Sequence, residues 1–505
     1  MKRLPALPLP VVLLGIAALL MYVPAAHAVV LRQHGVGRAF FYSGTLVLAF
    51  ALLLAIVTRG FQPRNPARSH LRALVLAWLM LPPVCALPFA QAIPDTSFFN
   101  AWFEMVSSFT TTGATLYDTP GRLPASVHLW RGLVGWAGGF FMLVAAAAIL
   151  APQNLGGFEV FAPASLGRVR LEPGQTGPGT DPAQRVVHHA LVLFPVYAGL
   201  TVMVWIGLSI AGDPALVAVM HAMAALATSG ISPLPGLPEA PSGRMGEALL
   251  ALAMAVALTR RLMPGAPHGE ARGPLWRDPE LRVAAGFLLA VPGALFLRHW
   301  IGAIEGDLPA SLAGGLSALW GALFTVLSFL TTTGFESADW TDARVWSGLQ
   351  APGLLLLGLA MMGGGVATTA GGVKLLRVYA LYSLGRHELE RLAEPSMVAG
   401  GGAAARQMRG EGGFIAFVFF MLFALSLGAA NLALAALGLS FERGVVLSVA
   451  ALTTTGPLAG VTQLAEGGWG GLSDGAKAVL AVCMVLGRLE TLALLAFLLP
   501  AAWHR

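Results

Sequence analysis

The chain has 505 residues, 56% of them hydrophobic and 11% charged, with a formal charge of +6. About a quarter of the residues in a soluble domain are charged. This composition therefore excludes an ordinary water-soluble protein and makes lipid the solvent for most of the surface.

The first 30 residues join Lys2 and Arg3 to an apolar run that reaches Ala-His-Ala at Ala28, the outline of a secretory signal. The run is long for a signal and "VV" continues past Ala28, so it reads as a retained membrane helix. Further apolar runs follow at about 41–58, 71–93, 129–151, 187–210, 245–260, 283–300, 345–367, 412–439 and 475–500. With the first, about 8–29, they predict ten crossings, all helical because hydrocarbon tolerates no unpaired backbone. The run at 245–260 is short. It must begin earlier among polar residues or be sheltered by neighbours.

Ten crossings place both termini on one side. With the N-terminus in the cytoplasm, the inner loops and start hold Lys2, Arg3, Arg59, Arg64, Arg68, Arg72, Arg168, Arg170, Arg185, Arg260, Arg261, Arg272, Arg277, Arg282, Lys374, Arg377, Arg386, Arg391, Arg406 and Arg409. These are 20 of the 31 basic residues, and the positive-inside rule selects N-in, C-in. The basic excess is thus topology, and no nucleic-acid partner is expected.

On the outer side stand four further helical stretches, starting at Ser97, Asp213, Ser317 and Phe441. Each has about 12 to 16 residues before a polar end, the length of a re-entrant half-helix. Their ends read "SFTTTGAT" (108–115), "ALATSGIS" (225–232), "SFLTTTGF" (328–335) and "ALTTTGPL" (451–458). One such end is an ordinary helix terminus, with Gly left-handed and Thr bonded to the last turn. Four, with glycines 117, 104 and 122 residues apart, are an internal repeat. Irregular backbone at membrane depth must be buried in protein or line a watery cavity. Four such turns about an axis supply carbonyl rings that replace a monovalent cation's water shell. The half-helices add their partly negative C-termini, and the Thr hydroxyls are expected to brace the turns from behind. The candidate ion-binding residues are Thr111, Thr112 and Gly113; Thr228, Ser229 and Gly230; Thr332, Thr333 and Gly334; and Thr454, Thr455 and Gly456. Asp95, Glu104, Asp118, Glu336, Asp339 and Asp342 lie on the outer approaches, where they either raise local cation concentration or simply solubilise loops.

Two inner features stand apart. The stretch "MMGGGVATTAGGVKLLR" (361–377) follows an apolar helix and is too glycine-rich for a firm one. It is expected to be a flexible gate below the turns rather than a small-residue packing face. In "GRLETLALLAFLLP", Arg488 and Glu490 lie too deep in the last helix to face lipid. Either they form a structural pair, or Arg488 stands near the conduction axis. The doublet His188–His189 has no carboxylate partner at helical spacing, and adjacent helical residues face different ways, so no enzyme site is expected. Cys85 and Cys483 lie in separate apolar runs and read as small core residues.

These motifs, with "WRDPELR" (276–282), "GGGVATTAGGVKLLR" (363–377) and the closing "GRLE" (487–490), resemble the Trk/Ktr/HKT superfamily of potassium-translocating membrane subunits, most closely the bacterial Trk type, over the full length. The resemblance implies an all-α polytopic membrane protein with four pseudo-repeated helix–pore-loop–helix units around a central pore. The units fall at 66–165, 183–262, 280–395 and 410–505, preceded by two extra transmembrane helices within 1–65. It also implies a homodimer in the bacterial inner membrane, a cytoplasmic nucleotide-binding regulatory ring, and potassium held at filter carbonyls with no organic cofactor. Gly363, Gly364, Gly365, Thr368, Thr369, Gly371 and Gly372 correspond to the family's gating loop, and Arg488 to its pore-facing arginine. Members with serine at the first filter position tend to admit sodium, so Gly113 favours potassium. The second turn departs, with Ala227 and Ser229 where the other turns have threonine. Competing readings are a sodium or poorly selective cation path, and a secondary transporter of an organic solute with two broken helices.

Overall fold

The computed structural model describes residues 7–60, 66–117, 119–153, 182–262, 274–302, 312–348, 351–393, 412–462 and 467–489. All regular structure among them is helical, with long apolar helices, as an all-α polytopic membrane protein requires. The helices α1 (Leu9–Val30) and α2 (His34–Val57) pack on each other, and α1 also meets the helices α3 (Pro66–Ala92) and α5 (Ala125–Ala145). Leu46, Leu53 and Ile56 on α2 remain exposed, the face a lipid-solvated helix presents.

A short half-helix, α4 (Phe98–Phe109), lies between α3 and α5. The same order recurs as α6 (Pro182–Ile210), half-helix α7 (Ala215–Ala227) and α8 (Gly243–Ala255). It recurs again as α9 (Pro279–Gly302), half-helix α10 (Leu312–Leu330) and the pair α11 (Trp340–Ser347) and α12 (Pro352–Met362). After α13 (Leu375–Ala393) comes the last round: α14 (Gly413–Ala436), half-helix α15 (Phe441–Leu452), the single turn α16 (Leu458–Val461) and α17 (Asp474–Leu489). Each half-helix packs on the long helix before it. Each closing helix packs on the next round's half-helix: α5 on α7, α8 on α10, α12 on α15, and α17 back on α4. That last contact closes the chain into a ring of four.

Several spans differ from expectation. Among the described residues, seven helices are long and apolar enough to cross, or up to eight if α11 and α12 count as one broken span. The run at 345–367 is not a straight crossing, because the chain bends by 118° between α11 and α12. The run at 245–260 begins earlier, at Gly243, and turns 3-10 at Val256–Leu258. The third half-helix has 19 residues, since its apolar pattern continues upstream of Ser317. Residues 490–505, including Glu490, lie outside the described set. Cys85 and Cys483 are free and buried, each within a helix.

Candidate ion pathway and its inner loop

The four Thr/Ser-Gly turns meet. A Cβ on Gly113 would overlap the Ser229 carbonyl oxygen, and one on Gly230 the Thr333 carbonyl oxygen. Gly334 lies against Pro457, and the Gly456 N–H donates to the Thr112 carbonyl at 2.6 Å. Only residues without side chains allow backbones from different quadrants to approach so closely.

Local chemistry explains each turn. The middle residues Thr111, Thr228, Thr332 and Thr454 are left-handed, with φ of 53°, 49°, 59° and 55°. For a β-branched residue this is strained, at a cost on the order of 1–3 kcal/mol each. Hydroxyls hold three of the turns against that strain. Thr110 and Thr112 are joined Oγ1 to Oγ1 at 2.8 Å, Thr331 and Thr333 at 3.1 Å, and Thr453 and Thr455 at 3.1 Å. The first member of each pair also donates to its half-helix's last turn, at Val106, Leu327 and Val449. The second turn lacks this brace because Ala227 has no hydroxyl, and Thr228 Oγ1 instead donates to the Ala227 carbonyl.

Outside the turns opens a cavity of about 360 Å³. All four glycines line it, with Tyr117, Arg131, Glu336 and Trp469 among the surrounding side chains. The outer acids divide here. Glu104 is not an exposed attractor: it is fully buried, its Oε2 lies 3.0 Å from Arg131 Nε, and its Oε1 accepts from Leu116 N at 2.6 Å. Asp95 pairs with Arg122 at 2.7 Å, and that hydrogen bond holds its carboxyl below the usual range. Asp339 pairs with Arg244 at 2.6 Å. Asp342 is exposed on α11, and Asp118 lies outside the described residues. Among the described acids of this set only Glu336 lines the cavity, and burial raises its carboxyl above the ordinary range.

Inside the turns lies the loop between α12 and α13. Gly363, Gly364, Gly365, Thr368, Thr369 and Gly371 are buried, and Gly372 nearly so. Gly363, Ala367, Gly372 and Lys374 have positive φ, which accounts for the break in the helix. The loop reaches every quadrant. Thr369 Oγ1 donates to the Leu226 carbonyl at 3.0 Å, and Gly371 N to Thr332 Oγ1 at 2.7 Å. A Cβ on Gly371 would overlap the Thr453 carbonyl. Arg488 Nε donates to the Thr110 carbonyl at 2.6 Å, and its Nη1 donates to the Thr369 carbonyl. Glu280 accepts from Val366 N at 2.7 Å, and Gly365 N donates to the Ala257 carbonyl at 2.9 Å. The stretch expected to be flexible is thus buried and held by hydrogen bonds to several elements.

Two basic residues expected on the inner surface are buried. Lys374 Nζ donates to the Ala370 carbonyl, and the Arg377 guanidinium lies over the Phe419 ring, 3.7 Å from its centroid. Arg277, Arg282 and Arg386 are exposed. His188 and His189 sit edge to face on α6, with His188 exposed. Sequence reasoning missed three structural roles: Glu104 beside Arg131, Glu247, which accepts from Trp320 Nε1 at 2.7 Å and Ser337 Oγ at 2.8 Å, and Trp469, whose Nε1 donates to the Gly456 carbonyl at 2.9 Å. A lone carboxylate within an apolar stretch was the available signal for the first two; nothing local marked Trp469.

The chain is similar to known proteins along its length. Residues 308–503 match the model of the TrkH family, described as cation transport protein. The Trk system potassium uptake protein TrkH of Salmonella typhimurium is 29% identical over 496 residues, covering 96% of each chain. The Trk system potassium uptake protein TrkI of Halomonas elongata is 29% identical over 517 residues, covering 99% of this chain and 97% of its own. The crystal structure of the potassium transporter TrkH from Vibrio parahaemolyticus superposes with a TM-score of 0.79 at 25% identity, covering 100% of both chains.

Proposed function

The chain is a TrkH-like protein of the Trk/Ktr superfamily, and from that premise we propose that it carries potassium inward across the bacterial cytoplasmic membrane. Potassium is the cargo, partly stripped of water and held by backbone carbonyls of the four turns. The membrane potential drives it with about 2.3 kcal/mol per charge per 100 mV. The single observation that carries this reading is the meeting of four turns that share a left-handed middle threonine. A site for an organic solute has no use for fourfold equivalence.

In this reading Thr111–Gly113, Thr228–Gly230, Thr332–Gly334 and Thr454–Gly456 form the filter, and 363–372 with Arg488 forms the gate. The N- and C-termini face the cytoplasm, the molecule is a homodimer, and a nucleotide-binding ring docks on the basic inner loops. Lys374 and Arg377 are buried, so among the described residues Arg277, Arg282, Arg386 and Arg391 are the exposed arginines of those loops that serve this contact, and Arg272 lies outside the described residues. Each pore unit is one quadrant, at 66–165, 183–262, 280–395 and 410–505, behind the leading pair within 1–65.

The unbraced second turn favours one other reading, a less selective monovalent cation path. Flux through purified protein in liposomes, driven by potassium or sodium gradients with and without a proton gradient, decides between them. Potassium flux well above sodium flux is expected; equal fluxes would replace potassium uptake by unselective cation passage.

A further inference from the structure

Nine residues before each of the first three filter glycines stands a polar side chain that grips the chain just beyond the glycine. On α4 it is Glu104, which accepts from Thr115 Oγ1 at 3.0 Å and Leu116 N at 2.6 Å. On α7 it is His221, whose Nε2 lies 3.0 Å from Ser232 Oγ, and that oxygen accepts from Leu234 N at 3.0 Å. On α10 it is Thr325, which accepts from Ser337 N at 3.2 Å. Glu247 reinforces this third grip, accepting from Ser337 Oγ at 2.8 Å and Ala338 N at 2.7 Å. A turn strained at its middle residue needs support on both flanks. The Thr pairs lock the inner flank and these groups the outer one.

The fourth quadrant breaks the rule. The equivalent position is Leu447, and the chain beyond Gly456 is Pro457-Leu458, so no polar grip can form there. Gly456 is also the one filter glycine outside the left-handed region. Its N–H crosses to the Thr112 carbonyl of the first quadrant, and its own carbonyl accepts from the Trp469 indole Nε1 at 2.9 Å. Trp469 is buried, in the glycine-rich "GGWGG", with its ring 6.0 Å from Phe103. Arg443, from α15, fixes that loop on both sides of the indole. Its Nη2 donates to the Gly468 carbonyl at 3.0 Å and the Gly470 carbonyl at 2.5 Å.

We infer that Trp469, seated by Arg443, is the positioning residue of the fourth quadrant and does there what Glu104, His221 and Thr325 do in the others. Its N–H sets the direction of the Gly456 carbonyl and, through Gly456 N–H, the placement of the Thr112 carbonyl in the adjacent first quadrant. An indole serves because the acceptor is a backbone carbonyl, which needs a donor, whereas Glu104, Thr325 and Glu247 accept from N–H and O–H groups.

The inference rests on the potassium-filter reading, and the test separates the two. Trp469→Phe keeps an aromatic ring against Phe103 and deletes the donor together with the five-membered half of the indole. In liposomes it is expected to lower the potassium/sodium flux ratio about fivefold, the size of one net hydrogen bond, with the melting temperature lowered by no more than about 4 °C. Arg443→Gln, which frees the loop, is expected to shift the ratio the same way, and the double variant to add little, because both act through one hydrogen bond. A selective wild type with a Trp469→Phe ratio equal to its own overturns the inference alone. A wild type that passes sodium as readily as potassium overturns the filter reading and the inference together.

Discussion

Arg488 and Thr110, 378 residues apart in the chain, are joined by a 2.6 Å hydrogen bond from the guanidinium Nε to the carbonyl oxygen. The same guanidinium holds Thr369 of the inner loop, so one side chain ties the last helix, the end of the first half-helix and the loop. Its charge is solvated by two carbonyls, and the one at Thr110 has the C-terminal dipole of α4 behind it, which is how a buried arginine is compensated.

Arg488→Gln loses that charge and one of its two tethers. A hydrogen bond to a charged group contributes about 1.5–3 kcal/mol, so the loop's closed state is weakened by roughly tenfold or more. Potassium flux in liposomes is expected to rise at a nearly constant potassium/sodium ratio. Flux at or below the wild-type level in folded protein would count against the loop as a gate.

The loop itself offers a harsher test. Deleting 364–369 removes the contacts to Ala257, Glu280, Leu226 and Arg488 together. Raised flux, unchanged ion ratio and reduced dependence on a regulatory partner are expected, since lids set passage without rebuilding the site they cover. Early melting with lost flux would make the stretch a packing element instead.

Gly113 has φ of +74°, and a Cβ there would overlap the Ser229 carbonyl. Gly113→Ser therefore strains its own turn and displaces its neighbour's carbonyl. The expected result is a potassium/sodium flux ratio lowered by about an order of magnitude, the effect of roughly 1.4 kcal/mol, measured in liposomes beside Gly456→Ser. If both variants keep the wild-type ratio, the turns are not the filter.

Glu336 lines the outer cavity and its carboxyl is raised by burial. A raised carboxyl takes up its proton at higher pH than an exposed one, so as pH falls the cavity loses negative charge before ordinary carboxylates are protonated. The half-saturating potassium concentration is expected to increase over that interval, and Glu336→Gln to show the higher value at every pH. An identical pH profile in the variant would remove Glu336 from cation capture.

Much of this architecture is written locally. Apolar length marks the long helices, the four Thr/Ser-Gly ends mark the turns because strained backbone demands glycine and hydroxyls beside it, and "GGGVATTAGG" marks the break between α12 and α13 because that composition cannot sustain a helix. Even the weak second turn is legible, in one missing hydroxyl at Ala227.

Tertiary structure decided which group meets which. Glu104 looks like an outer attractor until Arg131 is found 3.0 Å away, and Lys374 and Arg377 look like inner surface until Ala370 and Phe419 cover them. Trp469 reads as one more aromatic until its N–H is placed on Gly456. Helix and turn formation depend on neighbours in sequence, so a single segment carries the information. A charge or a donor takes its role from the partner across the fold, and that partner is fixed only when four separate segments close into one ring.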